Sequence, residues 1–322
     1  MKKVYACYLK DELELRNSSS GGAFTALSNA IFELNGSVIA CKYNYGLHKL
    51  EFSLASNLDE RNLMRGSKYI QADVHQLYKL VYEELQKGTL GPLLVVGTPC
   101  QIAGLKTWLN VKKLKHNRKI VLCDLICHGV SSPQMWMDYM HLVEDENKKK
   151  VKNVTFKDKS EYGWIRPFAK VIFDDDSEKA IEEYVYFYKS NNFMRDSCYS
   201  CKYSDSKRIS DITIGDFWKI DELDSKFKNK QGNSCVIINS SDGQELFDLA
   251  SKWLLYILCN NDSYKQDNLQ FSTKKGKSFW IMHKVYEKKG IKYLIDELFY
   301  FNSRLSVISK VKRKIYRLIY ED

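Results

Sequence analysis

Four cysteines stand in settings that suit metal or redox chemistry. Cys100 lies in Gly97-Thr98-Pro99-Cys100-Gln101, Cys127 in Ile126-Cys127-His128-Gly129, and Cys198 and Cys201 form a C-x-x-C pair. Four thiolates hold a 4Fe-4S cluster, and such a cluster moves electrons. Other chemistries stay open. A C-x-x-C pair in a turn can chelate zinc. A zinc ribbon wants a second close pair, absent here, so widely separated ligands fit a cluster embedded in a domain better than a self-folding zinc module. Cys127-His128 also has the composition of a thiolate-imidazole nucleophile, although neighbours in a strand point to opposite faces. A helix starting near Pro99 favours thiolate at Cys100; the bland reading of a lone cysteine is a small buried side chain. Cys123 shares a face with Cys127 if the strand continues, and rivals it as a ligand. Cys7, Cys41, Cys235 and Cys259 sit in or beside apolar patterns and read as packing residues.

A second kind of site is written in glycine and serine. Ser18-Ser19-Ser20-Gly21-Gly22 leads into a helical run from Ala23 to Leu34. Such a turn presents unpaired backbone N–H groups at a positive dipole end, which binds phosphate, although ordinary capping explains the same residues. Arg16 and Lys68, in short Gly/Ser-containing loops, are candidate phosphate partners. Neither a GxGxxG fingerprint nor a P-loop is present. The stretch Ser206 to Trp218 mixes basic, acidic and aromatic groups; it reads as a hairpin with a packed Trp, or as Lys207 and Arg208 holding an acidic ligand or tuning a cofactor.

The elements that must position these residues follow from periodicity. Pro92 to Val96 reads as a buried strand, Gly97 to Cys100 as a turn, Gln101 to Leu109 as a helix, and Lys119 to Leu125 as another buried strand. That order predicts a parallel βαβ unit whose ligand crevice lies beyond the carboxyl ends of its strands, where Cys100 and Cys127 fall. Strands are expected at Ser37–Tyr43, Glu51–Ala55, Ile212–Ile214 and Cys235–Ile238, and helices near Leu58–Met64, from Val74 to Gln86 and after Pro133. Val151–Phe156 and Phe168–Phe173 predict a hairpin or sheet extension. From Gln244 onward the pattern is mostly helical. The 322 residues, 44% hydrophobic, are enough for a sizeable core, and only four prolines punctuate them. No signal-peptide pattern follows Met1-Lys2-Lys3 and no apolar run approaches a membrane span, so a cytoplasmic location is expected. Nine cysteines there argue for reduced thiols or metal ligands over disulfides. The formal net charge of +10 speaks of association, not of fold.

Taken together, Arg16 to Gly22, Gly66-Ser67-Lys68-Tyr69, Gly97 to Gln101, Ile126 to Gly129, Cys198 to Lys202 and Lys207 to Trp218 resemble the coenzyme F420 hydrogenase/dehydrogenase beta subunits. The likeness covers roughly residues 5–240, in the family's order. It implies an FAD flavoprotein with a 4Fe-4S cluster beside the flavin, passing electrons between an iron-sulfur donor and a hydride-accepting or reducible small molecule. It also implies cluster ligands at Cys100, Cys127, Cys198 and Cys201. Ser18, Ser19, Ser20, Gly21 and Gly22, with Ser67, Lys68, Tyr69, Gly97, Thr98, His128 and Gly129, match flavin-side loops, and Arg16 joins them as a cofactor-binding candidate. His128 is the best-placed candidate for proton exchange.

Many relatives carry a ferredoxin-like segment ahead of the matching region, and here Cys7 follows only six residues of chain; a separate ferredoxin-like donor or acceptor protein is therefore expected. Bacterial members associated with polysaccharide synthesis make F420 itself a doubtful substrate. The expected fold is α/β: a mixed sheet with βαβ units forming a flavin and iron-sulfur domain over residues 1–240, then a helical basic extension over 241–322. In that extension Leu305, Ile308, Val311, Ile315, Leu318 and Ile319 form an apolar stripe among basic residues, read as a docked helix or as a peripheral contact with an anionic membrane. No nucleic-acid partner is expected. The alternative from another class is a non-catalytic assembly protein of a surface-polysaccharide pathway whose four cysteines hold structural zinc; a third is a thiol transferase using Cys127.

Overall fold

The computed structural model describes residues 3–114, 116–160, 163–164 and 168–299. The apolar stripe from Leu305 to Ile319 lies outside the described residues. Twelve strands and ten α-helices alternate along the rest: β1 Val4–Leu9, α1 Glu12–Arg16, α2 Ala23–Glu33, β2 Ser37–Asn44, β3 Lys49–Ala55, α3 Leu58–Asn62, β4 Ala72–Asp73, α4 His75–Gln86, β5 Leu93–Gly97, α5 Pro99–Lys112, β6 Ile120–Leu125 and α6 Pro133–Asn147. Then come β7 Val151–Asp158, β8 Phe168–Phe173, β9 Glu178–Ala180, α7 Glu182–Lys189, β10 Ile212–Asp216, α8 Ile220–Asp224, β11 Ser234–Ile238, α9 Ser241–Ala250, β12 Leu254–Leu258 and α10 Phe279–Tyr293.

Nine strands make one mixed sheet in the order β12-β1-β11-β10-β6-β5-β2-β3-β4. Its centre is parallel, with β5 beside β6 from Leu93↔Ile120 to Gly97↔Asp124, β6 beside β10 and β5 beside β2. This is the βαβ unit that the sequence predicts. A parallel strand buried on both faces reads as a continuous apolar run, and all of Leu93–Gly97 is buried. Leu93 and Val95 enter one core with α4, α5, α6 and α10, while Leu94 and Val96 enter the other with α2 and α9. The hairpin of β7 and β8, with β9, forms a separate three-stranded sheet against the first core.

Parallel direction decides where the chemistry sits. β1 is antiparallel to β11, and β11 to β10, so β1 runs with the parallel centre. The loops after β1, β5, β6 and β10, and the entry to β11, therefore gather at one edge of the sheet.

Past residue 240 the described chain is mostly helical, as expected, with one strand that the sequence pattern did not predict. Leu254–Leu258 is an edge strand of the main sheet, paired with β1 from Tyr5↔Leu258 to Leu9↔Leu254. The run Leu-Leu-Tyr-Ile-Leu is rich in strand formers, and the open side of β1 gave it a partner. Helix resumes at α10 and continues as a wider turn over Leu294–Phe299.

Candidate functional site

At the gathered edge lies a cavity of about 390 Å³, within the range of small-molecule and cofactor pockets. Its wall takes Ser18, Ser19, Ser20, Gly22, Phe24 and Thr25 from the β1–α2 connection, and Arg65, Ser67, Lys68 and Tyr69 from the turn after α3. Thr98 comes from the β5–α5 turn; Cys127, His128 and Gly129 follow β6; Asp216 ends β10 and Trp218 follows it; Lys157, Tyr188, Lys189, Ser234 and Gln266 also line it.

The first wall is a helix start. Gly22 sits at the head of α2 with φ 81°, a left-handed conformation, and the helix has no side-chain cap. Ser18 is spoken for, donating to the Glu14 carbonyl at 2.8 Å and pairing with Thr25 Oγ1 at 3.1 Å. Ser20 donates to the Asn233 carbonyl at 2.8 Å. Beneath the loop the buried Lys159 ammonium donates to the carbonyls of Leu15 (2.8 Å), Ser20 (3.2 Å) and Gln231 (2.6 Å). Desolvation, with Lys157 nearby, pulls its pKa down to about 7.

Two expected cation partners are placed otherwise. Arg16 is exposed at the end of α1 and does not line the cavity. Lys68 lines it, but its Nζ turns back onto the carbonyls of Met64, Arg65 and Gly66 at 2.8, 2.9 and 3.0 Å, so it braces its own loop. Burial lowers its pKa to about 8. Other cations at the wall are Arg65, paired with Glu14 at 3.0 Å, Lys157, paired with Asp216 at 2.8 Å, and Lys189. Arg65 stands in the same turn as Lys68, whereas Lys157 carried no local signal in the sequence because it reaches the wall from the separate three-stranded sheet. Gly21 and Gly97 stand behind the wall: a Cβ at Gly21 would meet the Cys7 carbonyl oxygen at 2.2 Å, and Gly97 ends β5.

Aromatic surfaces form the remaining sides. Tyr69 stacks on Tyr188 at 4.5 Å between centroids, and Tyr188 donates to the Gly129 carbonyl at 3.1 Å. Trp218 stacks on buried Trp164 at 4.8 Å, with Lys157 Nζ 5.4 Å above it. Trp164 Nε1 and Lys157 both donate to Asp216, so the platform is fixed from below. Gln266 donates to the Asp216 carbonyl at 3.0 Å, and its buried Oε1 has no hydrogen-bond partner among the described residues. An orphaned acceptor in a pocket wall is a group that a ligand donor satisfies.

Cys127 lines the rim, and the other three cysteines lie near enough to act on it. Cys127 lies two residues beyond the end of β6; burial pushes its thiol up to about 12, and Cys100, Cys198 and Cys201 push it the same way, which places the four thiols within one another's field. Gly129 makes this approach feasible. Its φ is 118°, and a Cβ there would lie 2.6 Å from Met194 Sδ and 3.3 Å from Cys198 Cβ. Cys100, exposed in the first turn of α5, is 3.2 Å from Thr98 Oγ1, while the Thr98/Gln101 capping box fixes that turn. Arg208 ties the second cysteine loop down: it donates to the carbonyls of Tyr203 (3.0 Å) and Leu125 (2.8 Å) and pairs with Asp124 at 3.0 Å, both side chains almost fully buried. Arg208 is thus a strut, and of the Lys207–Trp218 segment it is the end, Ile214 to Asp216 with Trp218, that reaches the cavity. Cys123 lies in the core on the α2 side, with Asp124, Asp211 and Arg208 as the charges acting on it.

Among the described residues no group of three His, Cys, Asp or Glu side chains is drawn together tightly enough for a single metal ion. His128 opens onto the cavity; surrounding protein desolvates its ring and lowers its pKa, against the pull of Asp216.

The family described as the C terminus of the coenzyme F420 hydrogenase/dehydrogenase beta subunit matches residues 91–258, more than half of the chain and the part that carries Cys100, Cys127, Cys198 and Cys201. The chain belongs to this family. Membership marks it as an oxidoreductase of the hydrogenase/dehydrogenase beta-subunit type. Among curated proteins no match is found. A chain of the F420-reducing [NiFe] hydrogenase complex from Methanosarcina barkeri shares the fold, at 15% identity over 89% of this chain and 88% of that one, with a TM-score of 0.54. No helix among the described residues is long and apolar enough to cross a membrane.

Proposed function

We propose that the chain is an FAD- and 4Fe-4S-dependent oxidoreductase that exchanges electrons between a one-electron carrier protein and a small reducible molecule. The observation that carries this reading is the sharing of one wall: the loop Cys127-His128-Gly129 both lines the cavity and bears a thiol within the field of the other three cysteines. A nucleotide cofactor fits the residues present. The start of α2, whose N-cap Gly22 brings no side chain, suits phosphate with Arg65 nearby, Tyr69, Tyr188 and Trp218 offer ring surfaces, and Gln266 Oε1 awaits a donor.

When bound, a flavin accepts two electrons as hydride and releases them singly to a cluster. Cys100, Cys127, Cys198 and Cys201 are the proposed ligands. Their mutual repulsion as thiolates in a dry site is what cationic iron offsets. His128 is the proposed proton-exchanging group, held at the cavity by its backbone: its carbonyl accepts from Thr273 Oγ1 at 2.6 Å. Tyr69 and Tyr188 exclude water from one side.

Anaerobic purification with absorbance, iron, sulfide and flavin analysis tests the proposal. The expected result is a yellow-brown protein with about four irons per chain and bound flavin. A colourless preparation with stoichiometric zinc would end it.

A further inference from the structure

We infer that the segment Phe271–Ile281, with the exposed side of α10, is the docking surface for an acidic one-electron carrier protein; this rests on the cluster proposed above. Three large side chains stand out into solvent: Phe271 is 50% exposed, Trp280 75% and Ile281 66%. Around them lie the exposed Lys274, Lys275, Lys277, Lys284, Lys288 and Lys289, with Glu287 the lone acidic residue from 271 to 289. An apolar, aromatic centre ringed by one sign of charge is the form of a transient interface that steers its partner electrostatically. The sign selects an acidic partner.

What selects a redox carrier is attachment to both cysteine loops. Thr273 donates to the carbonyl of His128, next to Cys127, and Ser272 donates to the carbonyl of Tyr199 at 2.9 Å, between Cys198 and Cys201. Phe279 meets the Tyr199 ring edge-on at 5.4 Å. Lys275 pairs with Asp196 at 3.2 Å. The seat is firm, because the Gly276 amide donates to the Asn191 carbonyl at 3.0 Å and a Cβ at 276 would meet Asn192 Oδ1 at 2.2 Å. A carrier resting here touches residues that are hydrogen-bonded to the ligand loops. Each encounter moves one electron: the carrier is oxidised as the cluster is reduced, or the reverse, and no bond forms or breaks. Tryptophan with lysines also suits an anionic bilayer, but a membrane has no use for bonds to the cysteine loops.

The test uses the full chain, purified anaerobically, assayed for iron, sulfide and flavin, and titrated with a small acidic ferredoxin by surface plasmon resonance over a salt series. Wild type is expected to bind, more weakly as salt rises. Lys274→Glu with Lys277→Glu should weaken binding by about tenfold or more, and Trp280→Ser should weaken it without changing the salt slope. Lys252→Glu, on the opposite face of the sheet, should leave binding unchanged. All variants should keep wild-type iron and flavin and wild-type reduction of a small viologen dye. Undiminished ferredoxin binding by the charge-reversed protein with its cofactors intact overturns the docking surface and leaves the proposed function standing. Binding to vesicles of equal phosphatidylcholine and phosphatidylserine, lost in the variants, with no ferredoxin affinity, assigns the patch to a membrane and overturns it too. A wild type with neither iron nor flavin brings down the proposed function and this inference together.

Discussion

At the scale of single residues, the question that matters is which thiols face the cavity rim. Cys123 and Cys127 share a face only while a strand connects them. β6 ends at Leu125, so the parity argument lapses and the two cysteines part, Cys123 into the core and Cys127 to the rim. Replacing Cys201 by Ser should therefore abolish iron binding, while Cys123→Ser should keep full iron and lose about 1–3 kcal/mol of stability, because a hydroxyl replaces a thiol in an apolar core. Iron and sulfide assays with a urea melt check both; full iron in Cys201→Ser would show the ligand set to be wrong. Gly129 is the second residue with a sharp expectation. Alanine there must adopt a left-handed φ and push Met194 and Cys198 aside, so Gly129→Ala should cost about 1–2 kcal/mol and lower cluster occupancy, read by unfolding midpoint and iron content.

Elements carry the loops to one edge, and this level was the most legible in the sequence. The apolar runs of β5 and β6 and the helix between them are local patterns, and strand polarity then follows from connection length. Three features were not legible, for physical reasons. β12 looks like any short apolar run until β1 offers an open edge. Lys68 carries the right charge in the right loop, yet nearby carbonyls capture it. Lys157, Lys159 and Gln266 arrive from distant chain, and no local spacing marks them. Arg208 was visible as a cation but its work was not, since its partner Asp124 lies 84 residues away. Desolvation raises the Asp124 carboxyl pKa, and Arg208 is the chief group opposing it. Removing Arg208 leaves that charge buried and alone, so Arg208→Met should cost about 3–5 kcal/mol. Arg208→Met with Asp124→Leu should recover much of the loss. A double-mutant cycle in urea, with iron content read alongside, measures the coupling; strictly additive losses would deny the strut.

The whole molecule is held at two ends, and the end away from the cavity should set its acid limit. There the buried Arg118 guanidinium joins Glu84 of α4, Ser37 of β2 and the Gly91 and Pro92 carbonyls ahead of β5. Burial pushes the Glu84 carboxyl pKa up, but hydrogen bonds from Lys87, Arg118 and Ser37 outweigh it and hold the pKa below its ordinary 4.5. A carboxyl depressed in the fold gives stability that is full above 4.5 and lost as pH falls through the folded value, because the unfolded chain takes up the proton first. His48 acts earlier. Desolvation, partly offset by Glu144, holds its imidazole below 6.5, so the unfolded chain gains protons there and stability falls as pH drops below that value. The expected profile is a shallow decline below about pH 6.5 that steepens below about 4.5. Urea midpoints across that range, on wild type and on Glu84→Gln, separate the two groups. The Gln variant should be less stable at neutral pH by about 3 kcal/mol or more, since Arg118 then loses its counter-charge, and its loss below pH 4.5 should be flatter while the shallow decline remains. An unchanged acid limb in Glu84→Gln would move the acid limit to other carboxylates.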